Sequence, residues 1–88
     1  MVNYQLIFTK QAQKDAIKIK NAGLKENLLE LLELLKNNPY QNPPSYEKLV
    51  GDLSGAYSRR INVKHRLVYQ ILEEQRIVKI LRIWTHYE

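Results

Sequence analysis

The hydrophobic residues at the start of the chain change from a strand pattern to a helical one. Residues 4–8, YQLIF, alternate large apolar side chains with other residues, which predicts a first β-strand. Thr9 is a favourable helix N-cap, and Gly23 is typical of the residue that ends a helix. Between them, apolar residues recur at the i, i+4, i+7 spacing of one helix face, at Ala12, Ala16 and Ile19. We therefore expect a strand and then a helix that ends near Gly23.

A row of leucines predicts a second helix. One apolar stripe at helical spacing is formed by Leu24, Leu28, Leu31, Leu32 and Leu35, with charged residues off it. Such a stripe is typical of core packing. Residues 37–46, NNPYQNPPSY, contain three prolines and three asparagines, which end the helix and predict an irregular loop.

The second half of the chain contains three strand-like runs. They are YSRRI at 57–61, RLVYQIL at 66–72 and RIVKILRIWTH at 76–86. Residues 62–64 and 73–75 are the expected turns between them. Three such strands joined by short turns predict an antiparallel meander, which the first strand joins at an edge or in the centre.

The predicted order is β-α-α-β-β-β in one domain spanning residues 1–88. This order favours an α+β fold in which two helices pack on one face of a four-stranded, mainly antiparallel sheet. No segment remains to cover the other sheet face, so we expect it to be open and available for docking.

Composition narrows the classes of function. The chain has no cysteine, which excludes disulfides, thiolate zinc sites and cysteine nucleophiles and fits a reducing cytoplasm. No signal peptide and no membrane-spanning run is visible, so no membrane association is expected.

Charge points to a polyanionic partner. The formal net charge is +5, and residues 58–66 carry four arginines or lysines and a histidine with no acid. A concentrated basic stretch of this kind favours nucleic acid as the partner. The residues expected to contact RNA here are Arg59, Arg60, Lys64, His65 and Arg66.

The chain can supply the parts needed to cleave RNA without a metal. The acids show no ligand spacing for a divalent cation, and the three glycines form no phosphate loop. Metal-free cleavage needs a base, an acid and fixed cations around the phosphate. Candidates are Glu47 as the base, Arg60 and Arg66 as the cations, and His86 beside the stacking aromatic Tyr87.

Each of these residues also has a structural explanation. An isolated loop glutamate is usually solvated, and a histidine near a terminus often belongs to a frayed end. Arginines on exposed strands discourage edge pairing, and His65 lies at a turn. Taken singly, none of them establishes a function.

Together the residues bring a resemblance to a known family. The segments NPYQ, EKLVGDLSGAYSRRINVKHRLVYQI and the HY near the end resemble the YoeB/Txe branch of the RelE-type toxins of bacterial toxin–antitoxin pairs. The resemblance covers the second half of the chain in sequence and the rest in element order. It implies a cytoplasmic enzyme that cuts mRNA in the ribosomal A site and needs no cofactor.

The resemblance also implies roles for particular residues. The family's catalytic glutamate falls on Glu47, its two phosphate-binding arginines on Arg60 and Arg66, and its general acid and the following tyrosine on His86 and Tyr87. Relatives often carry a lysine where this chain has Val50, and Lys48 is the candidate to replace it.

The implied partners are the ribosome with its mRNA and a cognate antitoxin of the YefM/Axe kind with an acidic, partly disordered tail. A homodimer is also suggested. Two other functions are open: a ParE-like toxin that acts by binding gyrase without nuclease chemistry, and an inactive RNA-binding module. The set Glu47, Arg66 and His86 separates them, because a pure binding protein has no reason to keep it.

Overall fold

The computed structural model describes residues 3–42, 45–49, 51, 55–62 and 64–85. Two helices and five strands lie within these ranges. In chain order they are β1 (Gln5–Phe8), α1 (Lys10–Asn21), α2 (Lys25–Asn37), β2 (Glu47–Lys48), β3 (Ala56–Arg60), β4 (His65–Leu72) and β5 (Ile77–Thr85).

The strands form one mixed sheet in the order β1-β5-β4-β3-β2. The predicted antiparallel meander is β3-β4-β5, and β1 pairs in parallel with β5 at the edge. The predicted class, two helices on a mainly antiparallel sheet, is confirmed. The strand count is five rather than four, because Glu47 and Lys48 pair with Ser58 and Tyr57 as a two-residue edge strand. Two residues after a proline-rich loop are too few to show a strand period in the sequence.

Local sequence explains how α1 begins. The Thr9 hydroxyl accepts a hydrogen bond from the Ala12 N–H at 3.0 Å, which satisfies one of the free donors of the first turn. The same hydroxyl donates to the Leu81 carbonyl of β5 at 2.9 Å, so the cap also fixes the helix against the sheet. The helix ends at Asn21, and Gly23 takes a left-handed φ of 80° in the turn before α2.

The core lies between the helices and one face of the sheet. From α2 it receives Leu28, Leu31 and Leu35, as the leucine stripe predicts, and from α1 Ala12 and Ile19. The sheet contributes Leu67 and Tyr69 of β4 and three residues of β5, Val78, Ile80 and Ile83. Burial of each large apolar side chain stabilises the fold by about 1.5–3 kcal/mol. This packing determines which strand face meets the helices.

The opposite sheet face is only partly open. Ile7, between the two core residues of β1, is 40% exposed. Near the other edge, Ala56, Ser58 and Val68 are buried, although strand alternation assigns them to this same face. The predicted open face therefore holds for the β1 edge and not for the β3 edge. No helix among the described residues has both the length and the apolar character needed to cross a membrane.

Candidate active site

The pairing of β2, β3 and β4 brings three charged side chains to one face of the sheet. Glu47 lies opposite Ser58, and Arg60 lies opposite Arg66. Residues directly opposite each other share a sheet face, and so do residues two apart on one strand. Ser58 and Arg60 are two apart on β3, so Glu47, Arg60 and Arg66 converge on the face turned away from the core.

These side chains line a cavity of about 120 Å³. Its walls are Ser45, Tyr46, Glu47, Ser58, Arg60 and Arg66. Within it, Arg66 Nη1 donates to Glu47 Oε1 at 3.1 Å. The Glu47 side chain is 67% exposed and that of Arg66 is 23% exposed. An exposed ion pair contributes little to stability, so a ligand can replace it at small cost. The cavity thus combines an accessible carboxylate with two guanidinium groups.

The two arginines of the cavity oppose each other electrostatically. Arg60 and Arg66 occupy directly opposite positions on β3 and β4. Like charges at such positions destabilise a strand pair, and an anion between them would remove the repulsion. This arrangement suits a phosphate, because guanidinium groups bind phosphate oxygens through paired hydrogen bonds.

Arg59 occupies a different environment from its neighbour Arg60. It is 1% exposed, and its guanidinium donates to the Tyr69 hydroxyl and to the Pro39 and Gln41 carbonyls. This burial does not suit the predicted RNA contact. Strand alternation is the reason, because the residue before Arg60 must face the helices.

Lys48 also lies on the other side of the sheet from Glu47. It pairs with Tyr57, whose side chain packs against the core cluster, whereas Glu47 pairs with Ser58. Consecutive strand residues point to opposite faces. This placement does not favour Lys48 as the replacement for the family lysine at the cavity, and its RNA contact stays a prediction. Val50, where relatives carry that lysine, lies outside the described residues.

Lys64 lies in the turn between β3 and β4, and His65 is the first residue of β4. Asn62 Oδ1 accepts hydrogen bonds from the backbone N–H groups of both residues, at 2.9 and 2.8 Å. The same oxygen lies 2.9 Å from the His65 ring nitrogen Nδ1. The exposed Lys64 suits an RNA contact. The bonds of His65 with Asn62 tie the start of β4 to the turn, so they suit a structural role for His65.

His86 and Tyr87 lie outside the described residues. The backbone that leads to them is described as far as Thr85, which pairs with His65, while Trp84 pairs with Arg66. The end of β5 therefore runs beside the strand that carries Arg66. His86 is the next residue along the chain.

Sequence reasoning missed three residues of the cavity wall. Ser58 could have been found, because it lies two residues before Arg60 in a predicted strand and so shares its face. Ser45 and Tyr46 carry no such signal, because they end the irregular segment 37–46 and reach the cavity only through the pairing of β2. Among the described residues, no cluster of three or more histidine, aspartate or glutamate side chains could hold a metal ion.

Comparison with known proteins identifies the class to which this fold and cavity belong. Residues 6–88 match the family described as ParE toxin of type II toxin-antitoxin system, parDE. A YoeB toxin of Streptomyces coelicolor is 30% identical over 76 residues, covering 84% of this chain and 90% of that relative. The chain therefore belongs to the RelE/ParE superfamily of toxins from type II toxin–antitoxin systems.

Within that superfamily the chain is of the YoeB type. A YoeB/ParE toxin from Agrobacterium tumefaciens has a TM-score of 0.82 and 27% identity, covering 94% of this chain and 99% of that one. The toxin in a heterotetrameric YoeB–YefM complex from Staphylococcus aureus has a TM-score of 0.78 and 31% identity, covering 98% and 100%. The resemblance drawn from the sequence is confirmed.

Proposed function

We propose that this protein is a ribosome-dependent endoribonuclease that cleaves mRNA in the ribosomal A site and so inhibits translation. The observation that carries the proposal is the Glu47–Arg66 contact of 3.1 Å in a cavity that Arg60 also lines. A carboxylate and two guanidinium groups around one anion-sized space are the base and the charge-stabilising groups of metal-free RNA cleavage.

In the proposed reaction, Glu47 accepts the proton of the 2′-hydroxyl, and the 2′-oxygen attacks the adjacent phosphorus. The bond from phosphorus to the 5′-oxygen breaks, and His86 donates a proton to that leaving oxygen. Arg60 and Arg66 stabilise the negative charge that develops on the phosphate oxygens. The products are a 2′,3′-cyclic phosphate and a 5′-hydroxyl. Tyr87 stacks on a neighbouring base.

The free protein holds this site in a resting arrangement. Arg66 contacts Glu47 instead of a phosphate. When RNA enters, the phosphate replaces the carboxylate as the partner of Arg66, and Glu47 becomes available to the 2′-hydroxyl. The high exposure of Glu47 makes this exchange easy, since water already competes for the carboxylate.

The partners follow from this function. The ribosome and its mRNA supply the substrate, which places the protein in the bacterial cytoplasm. A toxin of this type from Staphylococcus aureus forms a complex with the antitoxin YefM. A cognate antitoxin of this chain would neutralise the Arg60–Arg66 pair through an acidic segment.

A second candidate function comes from the name of the matching family, the ParE toxins. In that alternative the chain binds gyrase and performs no nuclease chemistry. The cavity weighs against it, because binding alone gives no reason to set a carboxylate against an arginine in a small polar cavity.

The deciding experiment is single-turnover cleavage of mRNA on programmed ribosomes. We expect the wild-type protein to cut in the A site, and Glu47→Gln and Arg66→Ala each to lower the rate by roughly 10² to 10⁴. Lys18→Ala is the matched control, because it removes one exposed charge from α1, outside the cavity. It should cleave at the wild-type rate. Glu47→Gln and Lys18→Ala should unfold at the wild-type temperature, since exposed substitutions rarely change stability by more than about 0.5 kcal/mol. Arg66 is partly buried, so the Arg66→Ala rate is compared at a temperature where thermal unfolding shows that variant to be folded.

Several outcomes would overturn the proposal. Full activity in Glu47→Gln would remove the base from the mechanism. A 5′-phosphate on the downstream product would contradict attack by the 2′-oxygen. Intact mRNA together with inhibited gyrase would instead support the ParE-like function.

A further inference from the structure

The strand pair that carries the cavity has a second cluster, whose β3 and β4 residues lie on the other face and whose Tyr46 also lines the cavity. Tyr46 and Tyr57 meet edge to face with their ring centroids 5.6 Å apart, and Tyr57 stacks on Tyr69 at 5.9 Å. The Arg59 guanidinium lies over the Tyr46 ring, 4.7 Å from its centroid. On β3, Tyr57 and Arg59 belong to this cluster, whereas the residues that follow each of them, Ser58 and Arg60, line the cavity. Tyr46 and Arg59 immediately precede Glu47 and Arg60 in the chain.

Arg59 connects the loop before β2 to the sheet. Its Nη2 donates to the Pro39 carbonyl at 2.9 Å and to the Gln41 carbonyl at 2.7 Å, and its Nε donates to the Tyr69 hydroxyl at 2.9 Å. Pro39 and Tyr69 are fully buried with it. A buried cation is costly unless its donors are satisfied, so these contacts strongly favour one loop position.

Among the described residues, the strand that carries Glu47 has few backbone contacts. β2 has only two residues, and it pairs with β3 alone, at the edge of the sheet. The adjacent backbone adds a bond from the Leu49 N–H to the Ala56 carbonyl at 2.9 Å. So short an edge pairing is weak on its own. The contacts of Arg59 with Pro39, Gln41 and Tyr46 add to this pairing close to Glu47 in the chain.

We propose that Arg59 is a positioning residue for Glu47. From the buried side of the sheet it contacts the Pro39 and Gln41 carbonyls and the Tyr46 ring, and thereby keeps the Glu47 carboxylate at the cavity, where it can reach the 2′-hydroxyl of the substrate. The inference rests on the proposed nuclease function. It assigns the two adjacent arginines different tasks: Arg60 faces the substrate, and Arg59 sets the geometry of the base.

The test measures single-turnover cleavage by Arg59→Met, which keeps an unbranched apolar stem in place of the arginine stem and removes the guanidinium donors. We expect the rate at saturating ribosomes to fall roughly 10- to 100-fold, since misplacement of a catalytic group by about 1 Å has that effect. The apparent ribosome affinity should stay within about threefold of wild type, because Arg59 does not touch the substrate. Tyr69→Phe, which removes only the hydroxyl partner of Arg59, should show a smaller loss of the same kind and guards against misfolding of the first variant.

A matched control separates positioning from general stability. Ile19→Val removes a methyl group from the buried face of α1, and Ile19→Ala removes more. These variants lower stability without touching the loop. At a temperature where all variants are folded, they should cleave at the wild-type rate. If they lose as much activity as Arg59→Met, the positioning role is wrong.

A double-mutant cycle tests whether Arg59 acts through Glu47. In a Glu47→Gln background the further change Arg59→Met should alter the rate by less than about twofold, because the base that it positions is already gone. Independent, multiplicative losses would overturn the proposal. So would wild-type cleavage by Arg59→Met.

Amide hydrogen exchange tests whether Arg59 restrains the loop, independently of whether the protein cleaves RNA. The Leu49 amide should exchange faster in Arg59→Met than in Ile19→Val. If the Leu49 amide exchanges faster in Arg59→Met but the wild-type protein does not cleave RNA, Arg59 does restrain the loop, and only the proposed nuclease function is refuted. Unchanged exchange would refute the hold itself.

Discussion

Asp15 and Arg59 are charged side chains that the fold buries, to 4% and 1% exposure. Asp15 lies on α1 and accepts hydrogen bonds from the Ile83 N–H at 3.0 Å, the Arg82 Nε at 2.9 Å and Gln11 at 3.0 Å. The bonds from Ile83 and Arg82 reach β5 where its register with β4 shifts by one residue, so that Val68 pairs with Arg82 and Tyr69 with Ile80. Asp15 thus fixes the first helix to the irregular part of the sheet.

The ionisation of Asp15 links stability to pH. Burial acts to raise the pKa of the Asp15 carboxyl, but the hydrogen bonds from Ile83, Gln11 and Arg82 outweigh it and hold the pKa below its usual value. A pKa that is lower in the folded state stabilises the fold above the unfolded pKa of about 3.9. That stabilisation is lost as the pH falls through the folded pKa.

We predict that Asp15→Asn lowers the free energy of unfolding by about 2 kcal/mol at pH 7, since it weakens charged, buried hydrogen bonds. The difference from wild type should shrink as the pH falls below about 4, where the carboxyl of the unfolded chain becomes protonated, and should go on shrinking towards the lower pKa of the folded state. Urea unfolding at pH 7 and pH 3 measures both values. A difference that does not change with pH would contradict the role of the charge.

At the scale of elements, β1 depends on contacts beyond its pairing with β5. Glu73, in the turn between β4 and β5, accepts hydrogen bonds from the Tyr4 hydroxyl at 2.8 Å and the Tyr40 hydroxyl at 3.0 Å. Tyr4 precedes β1, and Tyr40 belongs to the loop after α2. Arg76 of the same turn lies over the Tyr4 ring at 5.7 Å and accepts from the Gln5 N–H through its carbonyl. One carboxylate therefore joins three connecting segments.

The pKa values of Tyr40 and Glu73 depend on the hydrogen bonds that join these residues. Burial, and then the hydrogen bond to Glu73, raise the pKa of Tyr40 to about 12. The hydroxyls of Tyr4 and, after it, Tyr40 lower the pKa of Glu73. Because the pKa of Tyr40 is raised on folding, its stabilisation is present below the unfolded pKa of about 10 and is lost as the pH rises through about 12.

We predict that Glu73→Ala lowers the pKa of Tyr40 from about 12 towards its ordinary value, without restoring it fully, because burial remains. Ring-carbon chemical shifts of labelled tyrosine, followed through an alkaline titration, measure the change. The Gln5 amide should also exchange faster as β1 loosens. Glu74→Ala, at the next and equally exposed position, should change neither quantity. A Tyr40 pKa that stays near 12 in Glu73→Ala would refute the link.

At the scale of the whole molecule, the protein carries an excess of positive charge although some of these charges repel each other. The formal net charge is +5, and two of the positive side chains stand opposite each other as Arg60 and Arg66. In the free protein this arrangement is unfavourable, because like charges across a strand pair repel. A polyanion reverses the sign of the effect, and bound counterions are released from the RNA.

We predict that affinity for a short single-stranded RNA falls steeply with salt. Arg60→Ala should weaken binding and flatten the slope of log affinity against log salt by about 0.7, the value for one lost phosphate contact. Lys18→Ala removes the same charge from α1 and should leave the slope unchanged. Fluorescence anisotropy over a salt series measures both. Equal slopes for wild type and Arg60→Ala would show that Arg60 makes no phosphate contact.

The sequence by itself determined the helices, the meander and the superfamily. The leucine stripe of α2 and the cap at Thr9 are short-range signals, which a single segment carries within its own period. The sequence motif from Glu47 to Arg66 likewise predicts that Glu47, Arg60 and Arg66 belong to one site. Their convergence in one cavity agrees with that set.

Only the tertiary structure decided which neighbouring residues face the cavity and which face the core. Arg59 and Arg60 are adjacent in one basic run, and Glu47 and Lys48 are adjacent charged residues, so the sequence predicts both members of each pair at the same site. In the structure each pair is split between the two faces of the sheet. The split depends on the register of β2 against β3 and on which face the helices cover. Register is set by pairing between distant segments, and a shift of one residue would exchange the two faces. For the same reason the buried roles of Asp15 and Arg59 became visible only once their partners from other elements were in place.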